Sequence, residues 1–359
     1  MSKTVLVMAG GTGGHIFPAL AVADALRSQD WKVVWLGTAQ GMESQLVPKR
    51  GYPVECVDMQ GVRGKGLLRK LMAPWLLLNA TLQCRRIIKR IQPHLVIGFG
   101  GYVTAPGGIA ARVSGIPLIV HEQNSVAGMS NRLLAKMAQK VLTAFPSAFP
   151  VGGKVKLVGN PVRADITLLD NPTQRYHLRT GPLRILVVGG SLGAQVLNQV
   201  IPQALALLPE ADRPEVTHQA GQKHLADLEA HYRAAGVNAN TVPFIEDMAH
   251  AYAQADLLIC RAGALTVAEV CVAGVAALFV PYPLAVDDHQ TLNARYLVDQ
   301  GAALIEPQSH LQPAALADLI RRLSRNDLRQ MAEKAHAMAQ TEATQAVVAC
   351  CVALAKDTL

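Results

Sequence analysis

The sequence predicts a two-domain α/β protein in which each domain is a doubly wound parallel sheet. Three observations carry that expectation. Short apolar runs alternate with helical stretches along most of the chain, as in parallel strands covered by helices on both faces. The opening passage "TVLVMAGGTGGHIFPALAVADAL" (4–26) is repeated, strand for strand and glycine for glycine, by "LRILVVGGSLGAQVLNQVIPQAL" (183–205). A chain of 359 residues is also long for a single core.

"TVLVMAG" (4–10) reads as a buried strand, and "FPALAVADAL" (17–26) as a helix with Pro18 in its first turn, where a missing N–H costs nothing. "KVVWLG" (32–37), "HLVIGFGG" (94–101), "IPLIVHEQN" (116–124) and "KVLTAF" (140–145) continue the first set of strands. A short helix led by Pro106 falls between the second and third of these. After the repeat come "EVTHQAG" (215–221), "NTVPFI" (240–245), "ADLLICRAG" (255–263), "VAALFVPYP" (275–283) and "GAALIE" (301–306). The segment 150–182 is rich in Gly, Pro, Asn and Arg with weak periodicity, and reads as the crossing between domains. The division falls at 1–163 and 164–340. Two such domains facing each other would leave a cleft at the carboxyl ends of their strands, where ligands bind in these sheets.

Lys and Arg exceed Asp and Glu, giving a net charge of +8. That balance favours anionic partners, whether sugar nucleotides, phospholipid surfaces or nucleic acid, without choosing among them. None of the six cysteines forms a CxxC pair and most lie in apolar runs, so reduced, buried thiols are expected. The N-terminus enters a strand with no signal-peptide pattern, and "LLRKLMAPWLLLNATL" (67–82) is too short and too broken to span a bilayer. A cytoplasmic location follows as the expectation.

Four glycine-rich loops close strands. In Gly10-Gly11-Thr12-Gly13-Gly14-His15 the bare backbone can bring N–H groups to an oxyanion at a helix start. It departs from the dinucleotide fingerprint, because Ile16 stands where GxGxxG has its last glycine. "VVWLGT" also lacks the acidic residue that holds a nicotinamide ribose, which disfavours a dehydrogenase. A tight turn without ligand is the competing reading of such a loop. "GFGGYVTAPGG" (98–108) packs five glycines into eleven residues. "GGSLGA" (189–194) offers the Ser191 hydroxyl, and "CRAGALTVAE" (260–269) leads into a helix carrying Glu269, expected to point into the cleft and accept ribose hydroxyls. "VHEQN" (120–124) groups His121, Glu122 and Asn124 at one strand end as candidate substrate contacts. Neither HExxH nor DxD spacing occurs, so a catalytic metal is not indicated.

In 61–90, Leu67, Leu68, Leu71, Met72 and the run from Trp75 to Leu78 lie between two basic clusters. The clusters are Arg63/Lys65/Arg69/Lys70 and Arg85/Arg86/Lys89/Arg90. Such a patch suits attachment to an anionic bilayer; a core-packed helix pair with a solvated basic face is the alternative.

"GGTGGHIFPALAVA", "GFGGYVTAPGGIAA", "HEQNSVAGMSNR", "GNPVR" (159–163), "GGSLGA" and "AGALTVAE" resemble, in order, the motifs of the MurG family of bacterial glycosyltransferases. The resemblance covers residues 4 to about 306 and is specific, since six ordered motifs exceed what one glycine loop explains. It implies a GT-B fold and inverting transfer of N-acetylglucosamine from UDP-N-acetylglucosamine to lipid I, the undecaprenyl-pyrophosphoryl-muramoyl-pentapeptide. Lipid II and UDP would result, in peptidoglycan synthesis. By motif position, donor contacts would fall on Thr12, Gly13, Gly14, Asn124, Arg163, Ser191, Ile245, the run Ala264, Leu265, Thr266, Val267, Ala268 and Glu269, and Gln290. Glu269 would hold the ribose, the backbone near Ile245 the uracil, and Ser191 the diphosphate. The acceptor's pyrophosphate would meet Gly13, Gly14, Gly100, Gly101 and Tyr102. The last helix, about 341–359, would pack back on the first domain.

The resemblance also implies a peripheral enzyme on the cytoplasmic face of the cell membrane, with no cofactor and no nucleic acid. Proteins of a cell-wall or division complex would be further partners. The loop that reads GGSQGA in the family has Leu192 here, which weakens any contact assigned to that side chain but not the backbone contacts around it. A UDP-sugar epimerase of the same fold is the alternative activity, and a non-enzymatic membrane scaffold is a further one. Inverting transfer requires a base, for which His15 is the first candidate and Glu122 and His121 are rivals.

Overall fold

The computed structural model describes residues 2–59, 66–190 and 193–356, with side chains undescribed over 66–71. Two units divide the chain: residues 1–163 together with 341–359, and residues 164–340.

In the first unit the order is β1 (Thr4–Ala9), α1 (Gly13–Arg27), β2 (Lys32–Gly37), α2 (Glu43–Lys49) and β3 (Val54–Cys56). Then come α3 (Gly66–Ile91), β4 (Leu95–Gly100), α4 (Thr104–Val113), β5 (Leu118–Glu122), α5 (Met129–Ala135), β6 (Lys140–Thr143) and β7 (Val155–Leu157). The strands form one parallel sheet ordered β3-β2-β1-β4-β5-β6-β7. Continuous apolar runs make the central strands because both faces of the sheet are covered. Val5, Val7 and Ala9 of β1 pack on one side with Ile16, Leu20 and Ala23 of α1. Leu6 and Met8 pack on the other with Cys84 and Ile88 of α3 and Ala110 of α4.

The second unit holds α6 (Ala164–Thr167), α7 (Pro172–His177), β8 (Arg184–Val188), α8 (Gln195–Ala206), β9 (Glu215–Gln219), α9 (Leu225–Ala235) and β10 (Asn240–Val242). It continues with α10 (Met248–Gln254), β11 (Leu257–Cys260), α11 (Ala264–Ala273), β12 (Ala276–Phe279), α12 (His289–Val298), β13 (Leu304–Ile305), α13 (Pro313–Arg322) and α14 (Arg325–Ala337). Its parallel sheet runs β10-β9-β8-β11-β12-β13. β1 and β8, the first strands of the repeated passage, occupy equivalent places. Each stands where the strand order reverses, between β2 and β4 in one sheet and between β9 and β11 in the other. Such a reversal opens a crevice at the strands' carboxyl ends. α15 (Ala343–Leu354) closes the chain and belongs to the first unit, where Val347, Val348 and Cys351 join the cluster that contains α1.

Two local expectations are corrected. Gly13, Gly14 and His15 are already helical, with Thr12 extended as the N-cap, so Pro18 is the sixth residue of α1 and not in its first turn. The Gly14 carbonyl therefore faces a residue with no N–H to give. The segment 150–182 is also more than a crossing. β7 edges the first sheet, and α7 is tied to the second unit. The Tyr176 hydroxyl donates to the Asp256 carbonyl at 2.6 Å, and Arg179 pairs with the buried Asp256 carboxylate at 2.7 Å. Arginine-to-carbonyl and arginine-to-carboxylate bonds anchor this stretch, and hydrophobic periodicity does not register them.

Candidate active site

In the first unit, two glycine loops meet at the reversal between β1 and β4. Gly100 and Gly101 have φ of +114° and +95°, which only glycine adopts without strain. A Cβ on Gly101 would stand 2.4 Å from the Gly10 carbonyl oxygen, and one on Gly100 2.9 Å from His15 Nε2. The Gly10 N–H donates to the Gly100 carbonyl at 3.3 Å. Close backbone approach therefore brings Gly10–Gly14, His15, Gly100, Gly101 and the half-exposed Tyr102 together. His15 Nδ1 lies 3.1 Å from the Gly10 carbonyl and 3.3 Å from Thr12 Oγ1. A carbonyl only accepts, so Nδ1 carries the proton and Nε2 the lone pair.

Sequence reasoning missed the residue beneath this loop. Glu43, the first residue of α2, is buried and accepts from the Gly11 N–H at 3.1 Å, the Thr38 N–H at 2.9 Å and the Thr38 hydroxyl at 2.8 Å. Gly10, Gly37 and Gly41 leave it room, since a Cβ on any of them would crowd its side chain. Three glycines around one acidic residue are the only trace it leaves in the sequence.

The cluster at the end of β5 departs from expectation. His121, Glu122 and Gln123 are buried, not open at the sheet edge. Gln123 donates to His121 Nδ1 at 3.0 Å, and His121 Nε2 donates to the Gly159 carbonyl at 3.0 Å. Both ring nitrogens are thereby engaged, and burial pushes the imidazole pKa down to about 4. His121 is a neutral core residue and a poor base. Glu122 accepts from the Asn124 N–H at 2.9 Å, the Gly128 N–H at 3.0 Å and the Asn131 amide at 2.8 Å. Its carboxylate thus ties both ends of the 124–128 loop to β5 and α5. Asn124 and Arg163 are half-buried.

In the second unit, the loop after β8 lies against the loops after β9 and β10. Ser191 and Leu192 fall outside the described residues. A Cβ on Gly193, at φ +77°, would stand 2.3 Å from the Ala220 carbonyl oxygen. Gln219, also missed in the sequence, donates to the Gly190 carbonyl at 3.0 Å and accepts from the Ile245 N–H at 3.1 Å. The amide of Ile245 is thus already bonded. Gly263 caps α11, which runs from Ala264 through Leu265, Thr266, Val267 and Ala268 to Glu269. Glu269 is buried, not projecting, and takes the Tyr252 hydroxyl on Oε2 at 2.9 Å. The turn before α11 is pinned by Gln290 Oε1, which accepts from the Ala262 and Tyr282 amides, and by Asn293, which donates to the Ala262 carbonyl. Gln290 thereby holds backbone with its carbonyl oxygen. Among the described residues no three His, Cys, Asp or Glu side chains are grouped as a metal site.

Known proteins resemble both units. The glycosyltransferase family 28 N-terminal domain matches residues 5–143, and the family's C-terminal domain matches residues 184–349. The UDP-N-acetylglucosamine–N-acetylmuramyl-(pentapeptide) pyrophosphoryl-undecaprenol N-acetylglucosamine transferase of Ralstonia nicotianae is 57% identical over 359 residues, 99% of this chain and 98% of that protein. Its namesake from Dechloromonas aromatica is 55% identical, covering 99% of this chain and 100% of its own. Among solved structures, Acinetobacter baumannii MurG superposes with a TM-score of 0.85 at 48% identity, covering 97% of this chain and 99% of that one.

Proposed function

The chain belongs to glycosyltransferase family 28 and to its MurG members, and from that premise we propose the reaction and the groups that perform it. The protein transfers N-acetylglucosamine from UDP-N-acetylglucosamine to lipid I, giving lipid II and UDP. The epimerase alternative finds no support in these relatives.

The observation that carries the mechanism is His15 at the start of α1, with Nδ1–H directed to the Gly10 carbonyl, which puts the basic lone pair on Nε2. In the proposed step the acceptor oxygen attacks the anomeric carbon while its proton passes to His15 Nε2. The bond to the diphosphate oxygen breaks with its electron pair, UDP leaves, and the anomeric centre inverts. Charge on the departing diphosphate is met on the second unit by Ser191 and helix N-termini, without a metal or other cofactor. Gly13 and Gly14, at the head of α1, offer the amides suited to the acceptor's pyrophosphate, because the Gly11 amide is committed to Glu43. The Ile245 loop, the Ala264–Glu269 run and Gln290 are the second unit's proposed donor contacts, and Asn124 and Arg163 those of the first.

A membrane role rests on α3. Met72, Trp75, Leu78 and Leu82 are exposed, followed on the same helix by exposed Arg85, Arg86 and Lys89. Apolar residues beside cations suit the cytoplasmic surface of an anionic bilayer. Arg63 and Lys65, and the side chains of Leu67, Leu68, Arg69, Lys70 and Leu71, fall outside the description. No helix among the described residues is long and apolar enough to cross a membrane.

The test is radiolabelled UDP-N-acetylglucosamine with a lipid I analogue, scored for lipid-linked disaccharide. His15→Ala is expected to lower kcat by about 10²–10⁴-fold with donor KM little changed, the range of a general base. A kcat near wild type would remove His15 from that role.

A further inference from the structure

We propose that Glu43 is a positioning residue for the transfer, acting on His15 through the single peptide unit that joins Gly10 to Gly11. The inference rests on the reading of His15 as the base. Its basis is the connectivity of that peptide. The C=O belongs to Gly10 and takes the His15 Nδ1 proton at 3.1 Å. The N–H belongs to Gly11 and donates to Glu43 Oε2 at 3.1 Å. One planar, rigid group therefore has a carboxylate on one side and an imidazole on the other.

Two consequences follow. A carboxylate accepting from the N–H polarises the peptide and makes its carbonyl a stronger acceptor, as successive bonds in a chain strengthen one another. A stronger acceptor holds the proton on Nδ1, favours the tautomer with its lone pair on Nε2, and stabilises the imidazolium formed during attack. The link also fixes the peptide's orientation, so the imidazole is aimed before substrate arrives.

The surroundings of Glu43 suit this task. It is 1% exposed, so its charge is screened less from its neighbours than it would be in water. Oε1 is anchored by both donors of Thr38, which leaves Oε2 directed at Gly11. Its charge is felt nearby: burial first, and then the Glu43 charge, raise the Cys56 thiol on β3. Gly10, Gly37 and Gly41 admit the side chain, and a methyl at Gly41 would stand 2.2 Å from Oε1. On the imidazole side, Gly100 leaves space for the ring edge carrying Nε2.

A carboxylate that merely braced the loop would act on binding and stability whatever residue stood at 15. The test is therefore a double-mutant cycle on the full chain, using the lipid I analogue assay with Glu43→Gln, His15→Ala and both together. Gln keeps the size but places an amide donor against one of the N–H groups. Glu43→Gln is expected to lower kcat roughly 10- to 100-fold in the wild-type background, a part of the effect of a general base. In the His15→Ala background it is expected to cost less than about 2-fold, because no base remains to be oriented. The ¹⁵N signals of His15 are expected to report the Nδ1–H tautomer in wild type and a tautomer mixture in Glu43→Gln.

An equal loss in both backgrounds, or an unchanged tautomer, overturns the role of Glu43 and leaves His15 as base intact. A kcat unaffected by His15→Ala overturns the base reading itself, and the inference with it. If Glu43→Gln does not fold, Glu43→Asp replaces it. That variant keeps the charge but withdraws the oxygen from Gly11, and the same outcomes decide.

Discussion

His121 and Glu122 are neighbours at the end of β5, and both are spent on structure. Every partner of Glu122 given above is a donor, and both nitrogens of His121 are engaged within the core. His218 is buried too, with only Nδ1 bonded, at 3.0 Å from the Tyr232 hydroxyl, and its pKa is pushed down by burial to about 3. For both imidazoles the folded pKa lies below the ordinary value of about 6.5. Above that value neither the folded nor the unfolded form binds the proton, and stability is complete. As pH falls below it, the unfolded chain takes protons that the folded sites refuse, and stability is lost progressively towards pH 4. Urea midpoints measured from pH 7.5 to 4.5 are expected to fall accordingly. His121→Gln, which cannot titrate, should show a shallower slope by about one proton.

Single helices combine opposite surfaces along their length. The second half of α3 packs Ala80, Cys84, Ile87 and Ile88 into the core, while its first half leaves Trp75 67% exposed. The core-helix reading of this segment holds for its second half, and the membrane reading remains a proposal for the exposed apolar side chains of its first half. Paired Trp75→Ser and Leu78→Ser substitutions are expected to weaken sedimentation with anionic vesicles while changing stability by less than about 0.5 kcal/mol, as exposed positions do. Ile88→Ala should do the reverse, losing about 2–5 kcal/mol in urea unfolding while vesicle binding persists. Equal vesicle binding by the serine variant would assign this face to something other than a bilayer. α1 shows a different compromise. Its first turn is made of Gly13, Gly14 and His15, with Pro18 deeper in the helix, so poor helix formers stand where a stronger start could.

At the scale of the molecule, two sheets with equivalent central strands form two separately cored units, and the chain returns to the first unit at its end. α15 buries Val347, Val348, Cys351 and Ala355 in the first unit's core. Removing residues 341–359 is expected to lower the first unit's unfolding temperature and leave the second unit's transition in place, read as two separated calorimetric transitions. A fragment of residues 164–340 should fold alone and bind UDP in titration calorimetry. A single transition lowered throughout would contradict this division.

The sequence by itself determined the α/β class, the repeat of the opening strand–loop–helix passage and the glycine loops that close the strands. Apolar runs and glycine spacing are local patterns, and they are written in consecutive residues. Only the tertiary structure decided that Glu43 sits beneath the first loop, that Gln219 ties Gly190 to Ile245, and that His121, Glu122 and Glu269 are buried. Those roles depend on which strand ends lie side by side, and hydrogen bonds between residues tens of positions apart leave no periodicity to read.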